Sequence, residues 1–230
     1  MCKKIVITGA TSGIGKELAI RFVEKGWEVI GLGRKYSILK EMEKAYPALF
    51  KGYQVDIRFK REVIAVFKII GEFDVLVNNA GVYLNKPFTS CTLEDIDRII
   101  DTNLKGTMYC THEALKHIKE GRIINISSVA GLRGIKNEAI YSASKYGMNG
   151  FANALNQEII EKNVSITTLS LGGVNTPLWN KENQYPSYFS YDMKKLLSEK
   201  DVVEMIENII ELKGKIILKD LIMFPSNEWH

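Results

Sequence analysis

The residues with the clearest chemical potential lie between Asn125 and Lys145, centred on Tyr141-Ser-Ala-Ser-Lys145. On a helix, side chains four apart share a face, so the Lys145 ammonium can sit beside the Tyr141 phenol. A free phenol has a pKa of about 10, and a neighbouring cation favours the phenolate. Such a tyrosine is a candidate general acid or base near neutral pH. Spacing alone decides nothing, because Tyr36 to Lys40 and Tyr191 to Lys195 repeat it, and both read as solvated surface pairs. The Tyr141 copy differs in what precedes it: Arg122-Ile-Ile-Asn-Ile-Ser-Ser128 is an apolar run of buried-strand type that ends in two hydroxyls. A strand ending at Ser128, a loop, and a helix carrying Tyr141 would bring both hydroxyls to the carboxyl edge of a sheet, where α/β proteins bind ligands.

The elements needed to hold such a site begin at the N-terminus. Ile5-Val-Ile-Thr8 is a β-branched run that leads into Gly9-Ala-Thr-Ser-Gly13-Ile-Gly15, and Lys16 to Lys25 keeps helical spacing. A glycine turn between a strand and a helix lets the backbone approach a pyrophosphate, which the first helical amides then hold. The same glycines could instead serve a tight structural turn. With a strand before, a helix after and a second strand over Trp27 to Leu32, the dinucleotide reading is favoured, through Gly9, Thr11, Ser12, Gly13, Ile14 and Gly15.

The second strand runs into Gly33-Arg34-Lys35, where the chain would face the adenosine ribose. A carboxylate there binds the two hydroxyls of NAD, whereas arginine accepts the additional phosphate of NADP. Arg34 therefore predicts NADP(H), with ordinary loop solvation as the competing role. Asp56, beside Ile57 at the end of a third strand from Phe50 to Val55, could cap the following helix (Arg58 to Ile70) or meet the adenine. Asp74 to Asn78 is a further buried strand, closed by Asn79-Ala80-Gly81. Those amides either satisfy a turn or make room for the nucleotide.

Thr92-Leu-Glu-Asp95 resembles a capping box and predicts one long helix toward Lys119, stopped at Gly121. Asn103 in its middle is unfavourable unless its side chain or backbone has work to do. A helix through Phe151, Leu155 and Ile159 leads to Asn163 as a left-handed cap, and Val164 to Leu171 reads as a strand. A segment from about 177 to 198 then carries Trp179, Tyr185, Tyr188, Phe189 and Tyr191, which suits a lid over the site or a subunit contact. Ser198-Glu-Lys-Asp201 opens a last helix ending near Gly214, and Lys215 to Leu218 reads as a short final strand.

Composition sets the frame for these elements. A chain of 230 residues, 46% apolar, can bury one full α/β core, so a single domain over 1–230 is expected. No signal-peptide pattern and no apolar run of membrane-span length is present, so a cytoplasmic protein without a membrane partner is expected. Cys2, Cys91 and Cys110 lack metal or redox-pair spacing, and His112, His117 and His230 form no ligand set; no metal is predicted. A net charge of +4 without a dense basic stripe argues against nucleic acid as a partner.

In order along the chain, Thr8-Gly9 with Gly13-Ile14-Gly15, Asn78-Asn79-Ala80-Gly81, Asn103, Ser128 and Tyr141-x-x-x-Lys145 resemble the short-chain dehydrogenase/reductase family. The resemblance implies a doubly wound Rossmann-type α/β fold with a mostly parallel seven-stranded sheet, and a catalytic set of Asn103, Ser128, Tyr141 and Lys145. It implies that Tyr141 exchanges a proton with the substrate oxygen and Ser128 bonds that oxygen. Lys145 would bind the nicotinamide ribose and lower the Tyr141 pKa, and Asn103 would help hold a water; Ser127 reads as structural. Val174 and Thr176 would contact the nicotinamide. The sequence departs from the family at Leu171, where proline is usual, which predicts a less restrained strand exit. The implied activity is NADPH-dependent reduction of a small-molecule carbonyl by a homodimer or homotetramer. The alternatives are alcohol oxidation or a non-catalytic nucleotide-binding regulator.

Overall fold

The computed structural model describes residues 3–179, 193–212 and 216–226. Seven strands, β1 (Lys4–Thr8), β2 (Glu28–Gly33), β3 (Phe50–Gln54), β4 (Val75–Asn78), β5 (Glu120–Ser128), β6 (Asn163–Leu171) and β7 (Asp220–Met223), form one sheet in the order β3-β2-β1-β4-β5-β6-β7. Every pairing is parallel. The sequence predicts this Rossmann-type architecture, and the sheet is wholly rather than mostly parallel.

Strand periodicity explains the layers. Successive β side chains point to opposite faces, so Ile5 and Ile7 enter one core while Val6 enters the other. The first core joins the sheet to helices α1 (Gly13–Glu24) and α2 (Tyr36–Ala45), through residues such as Leu18, Phe22 and Leu39. The opposite core joins it to α3 (Lys60–Ile70), through Val63 and Phe67. Both faces are covered, which is why the central strands read as continuous apolar runs. Strand order reverses between β1 and β4, and the crevice above that reversal is where the functional residues gather.

Four predicted boundaries are corrected. The expected long helix is α4 (Leu93–Ile100), a π-helical segment (Asp101–Gly106) and α5 (Thr107–His117). Its start carries the predicted capping box, Thr92 with Asp95. Gly121 does not stop it; it lies inside β5, where an added Cβ would run into the Asp74 carbonyl of the neighbouring chain segment. Asn163 opens β6 rather than capping helix α6 (Ala139–Glu158), and among the described residues only Asn137 is a non-glycine with positive φ. The final strand is Asp220–Met223 rather than 215–218, because β6 takes its register from Thr168 opposite Asp220 to Leu171 opposite Met223. Helix α7 (Glu199–Glu211) starts at Ser198 as predicted, with a Ser198–Asp201 capping box, and the expected stop at Gly214 lies outside the described residues. Among the described residues, no helix is long and apolar enough to cross a membrane.

Candidate active site

A cavity of about 420 Å³ runs along the carboxyl edge of the sheet. At one end it is bordered by the turn from Gly9 to Ile14, by Arg34 and Lys35, and by Asp56 and Ile57. Asn79, Ala80 and Gly81 form its middle, and Ser128, Tyr141, Lys145, Val174 and Thr176 its other end. Of the predicted site residues only Gly15 and Asn103 lie behind this wall, and each shapes it from there.

The glycine turn is built by close approach. Gly9 has φ +69°, and a Cβ on it would lie 2.9 Å from both Ala80 Cα and Asn79 Nδ2. A Cβ on Gly15 would collide with Asn79 Nδ2 and the Gly9 carbonyl. Asn79 locks the two segments together: its Nδ2 donates to the Thr8 carbonyl at 3.0 Å and to the Gly9 carbonyl at 3.3 Å. The amides of Asn79 and Ala80 both donate to Thr8 Oγ1 at 3.0 Å. Of the two roles these amides have in the sequence, these bonds show the turn role.

Asn103 has the work its position demanded. Its side chain accepts from the Val82 amide at 2.8 Å, donates to the Val82 carbonyl at 2.9 Å and reaches Ser144 Oγ at 3.1 Å. In the π-helical turn its own carbonyl takes the Thr107 hydroxyl at 2.9 Å. Asn103 thereby ties the loop after β4 to helix α6, which carries Tyr141 and Lys145. Asn78 turns away from the cavity, donating to Thr111 Oγ1 at 3.0 Å and Asn125 Oδ1 at 2.9 Å.

Tyr141 and Ser128, at the end of β5, border the same end of the cavity, as the strand-to-helix reading predicts, and the Ser128 Oγ accepts from the Ala130 amide at 3.1 Å. Ser127 instead donates to Asn149 Oδ1 at 2.7 Å, a structural contact. Lys145 is buried, its Nζ 5.7 Å from the centre of the Tyr141 ring and donating to the Ile126 carbonyl at 2.8 Å. By contrast Tyr36 is exposed, with Lys40 over its ring at 5.3 Å, a surface pair as expected; Tyr191 lies outside the described residues.

The predicted direction of the Tyr141 pKa is corrected. Burial is the largest influence and pushes the phenol above its ordinary value; the Ser128 hydrogen bond opposes this and the charge of Glu138 adds to it. Burial likewise pulls the Lys145 ammonium from 10.5 to about 8. Desolvation thus sets the direction of both shifts.

This gives a pH prediction. Between about pH 8 and 10.5 the unfolded chain keeps the Lys145 proton that the folded chain has released. Stability from this residue therefore rises with pH across that window and is flat on either side. The unfolding free energy of wild type minus that of Lys145→Met should climb by roughly 3 kcal/mol across it. A level difference would mean the ammonium is solvated.

Two further expectations are revised. Asp56 does not cap α3, whose N-cap is Phe59; its carboxylate grips Arg58 at 2.6 Å. Burial would raise the Asp56 carboxyl, but Arg58 holds it below the usual range. The strand exit after Leu171 is not loose. The Asn175 amide donates to the Leu197 carbonyl at 2.8 Å and the Leu197 amide to the Gly173 carbonyl at 3.0 Å, so chain pairing supplies the restraint proline would have given. Of the expected lid, Pro177–Trp179 form a short turn of helix, while Tyr185, Tyr188, Phe189 and Tyr191 lie outside the described residues.

Sequence reasoning missed Tyr83 and Glu138, which border the same end of the cavity. Tyr83 stands edge-on to Tyr141, ring centres 5.0 Å apart at 85°, and its hydroxyl donates to Glu138 Oε1 at 2.6 Å. The available signal was an acid three residues before Tyr141, at the start of its helix.

Known proteins place this arrangement in context. Residues 3–187 match the family model described as short chain dehydrogenase. An uncharacterized oxidoreductase of Staphylococcus saprophyticus is 33% identical, over 97% of either chain. A 3beta-hydroxysteroid dehydrogenase of Mediterraneibacter gnavus is 34% identical, over 93% of this chain and 80% of its own. Among solved structures, the closed form of serine dehydrogenase complexed with NADP+ superposes with a TM-score of 0.89 at 27% identity, covering 99% of this chain and 96% of the other. A glycine turn locked to Asn79, a Ser128–Tyr141 pair with Lys145 behind it, and a family match over most of the sequence lead to one assignment: the chain belongs to the short-chain dehydrogenase family and is an oxidoreductase.

Proposed function

We propose that this oxidoreductase is a single domain over 1–230 that uses NADPH to reduce a carbonyl group, of ketone, aldehyde or 3-oxoacyl type, to the alcohol. The observation that carries the reading is that Ser128, Tyr141 and Lys145 meet at one end of a cavity whose other end is the glycine turn. The chain fits the cofactor: glycine at 9 and 15 lets the turn pack tightly against Asn79 and Ala80, and the turn from Gly9 to Ile14 lines the cavity. The amides of Thr11, Ser12, Gly13 and Ile14 at the positive end of α1 hold the pyrophosphate. Arg34 takes the ribose phosphate, and Asp56 and Ile57 flank the adenine. Asn79, Ala80 and Gly81 line the middle, with Val174 and Thr176 at the nicotinamide. The NADP+ complex of serine dehydrogenase supports this choice.

When bound, NADPH supplies the hydride. Ser128 donates a hydrogen bond to the substrate oxygen, and Tyr141 donates the proton to it. Tyr141, pushed above its ordinary value by burial, is protonated at neutral pH, as a proton donor must be. Lys145 holds the nicotinamide ribose and restores the Tyr141 proton. Asn103 helps hold a water on that proton path. Half-buried Leu104, Met108 and Phe151 support assembly as a homodimer or homotetramer.

Protein mixed with NADPH and a panel of ketones, aldehydes and 3-oxoacyl thioesters should consume reduced nicotinamide with at least one member; silence across the panel would contradict the reading. Arg34→Ser should weaken NADP binding by roughly ten- to a hundredfold and leave NAD binding nearly unchanged. Equal loss for both, measured by titration, would remove Arg34 from the phosphate site.

A further inference from the structure

The substrate half of the cavity contains a carboxylate that the reaction above does not use. Glu138 is the N-cap residue of α6, is only 4% exposed and borders the cavity. An N-cap side chain ordinarily turns onto the first amides of its own helix; that of Glu138 does not. Its Oε1 instead accepts from the Tyr83 hydroxyl at 2.6 Å and faces Asn85 Nδ2 at 3.4 Å. Oε2 has no hydrogen-bond partner among the described residues. No cation among them pairs with it either: Lys86 and Arg98 go to Asp95, and Lys145 to the Ile126 carbonyl.

Oε2 opens on the cavity rather than into packed protein, and a carboxylate offers acceptors only, so a ligand that displaces solvent from it must supply a donor or bury it unpaired. Burial pushes its carboxyl up, with Tyr83 and Asn85 opposing, so the protein alone leaves the group incompletely compensated. The Tyr83 ring stands edge-on to Tyr141, and Glu138 lines the same cavity as the reacting hydroxyl. A site built in this way rejects compounds that cannot supply the missing donor, because binding them buries the acceptor unpaired.

We propose that Glu138 is the specificity-determining residue of the substrate half, accepting through Oε2 a hydrogen bond from a hydroxyl or ammonium group carried beside the carbon that changes oxidation state. The inference rests on the oxidoreductase reading of the same cavity. The rival role is purely mechanical, with Glu138 only anchoring Tyr83 against Tyr141.

The test compares sec-butanol, its vicinal diol and its vicinal amino alcohol as substrates with NADP+. Wild type should favour at least one donor-bearing compound by roughly tenfold or more in kcat/KM. The diol and amino alcohol arms separate hydroxyl from ammonium recognition. Glu138→Gln keeps an acceptor for Tyr83 but sets an amide donor where Oε2 stood, and should cut that preference at least about fivefold, most for the amino alcohol, on top of any change common to all three compounds from removing its charge near Tyr141. No preference in wild type, or equal loss on all three compounds, overturns the proposal; the wild-type comparison needs no variant to fold. The same compounds are titrated into both proteins with NADP+ present. A binding preference lost in Glu138→Gln without any turnover would uphold recognition by Glu138 and sink the proposed reaction. Absence of a binding preference would sink the recognition role, whatever the turnover.

Discussion

Tyr141→Phe is expected to lower kcat by roughly a hundred- to ten-thousand-fold, the range of a positioned general acid, while NADP(H) binding stays within about threefold of wild type. The ring packs against Tyr83 and Ala130, and phenylalanine preserves that packing. Only the hydroxyl at the Ser128 end of the cavity is lost. A structural tyrosine would behave differently, since its loss would lower the melting temperature and leave turnover in proportion to folded protein. Single-turnover kinetics with saturating cofactor separate the two. A variant with full chemical rate would remove Tyr141 from proton transfer.

Gly9→Ala should give the second large effect, through the backbone. A left-handed φ of +69° costs an L-residue about 1–2 kcal/mol. The new methyl also meets Ala80 Cα at 2.9 Å, main chain that can yield only by moving the loop after β4. Together these should remove roughly 2–4 kcal/mol and lower the melting temperature on the order of 10 °C. Cofactor affinity should fall at least about tenfold, because the shifted segment carries the amides for the pyrophosphate. Gly134→Ala is the control: nothing lies within 4 Å of its added Cβ, and it should change stability by less than about 0.5 kcal/mol. Calorimetry and cofactor titration of both variants check this. Equal behaviour would mean that the turn tolerates a side chain.

What could be read from the sequence was what local chemistry determines. Ile5 to Thr8 and the glycines after it announce a strand and a tight turn because β-branching and the absence of Cβ act within a few residues. Ser128 and Tyr141 were legible as a pair because a strand end and a helix start must share a sheet edge. The π-helical turn around Asn103 was not, since bonds to Val82 and Ser144, distant in sequence, hold it. Tyr83 and Glu138 were missed for the same reason, being 55 residues apart along the chain. Nor could spacing reveal the sign of the Tyr141 shift: a cation four residues away is visible in sequence, but desolvation depends on how completely the fold excludes water. Leu171 misled because proline restrains a chain locally, whereas here the restraint comes from pairing with Leu197.

The most direct test of the account is a crystal structure of the protein with NADP+ and a product alcohol. The account predicts the adenosine phosphate at Arg34, the pyrophosphate on the turn from Gly9 to Ile14, and the alcohol oxygen within hydrogen-bonding distance of both Ser128 and Tyr141. An alcohol bound with its oxygen away from that pair, or a nicotinamide ring lying outside the cavity, would contradict it.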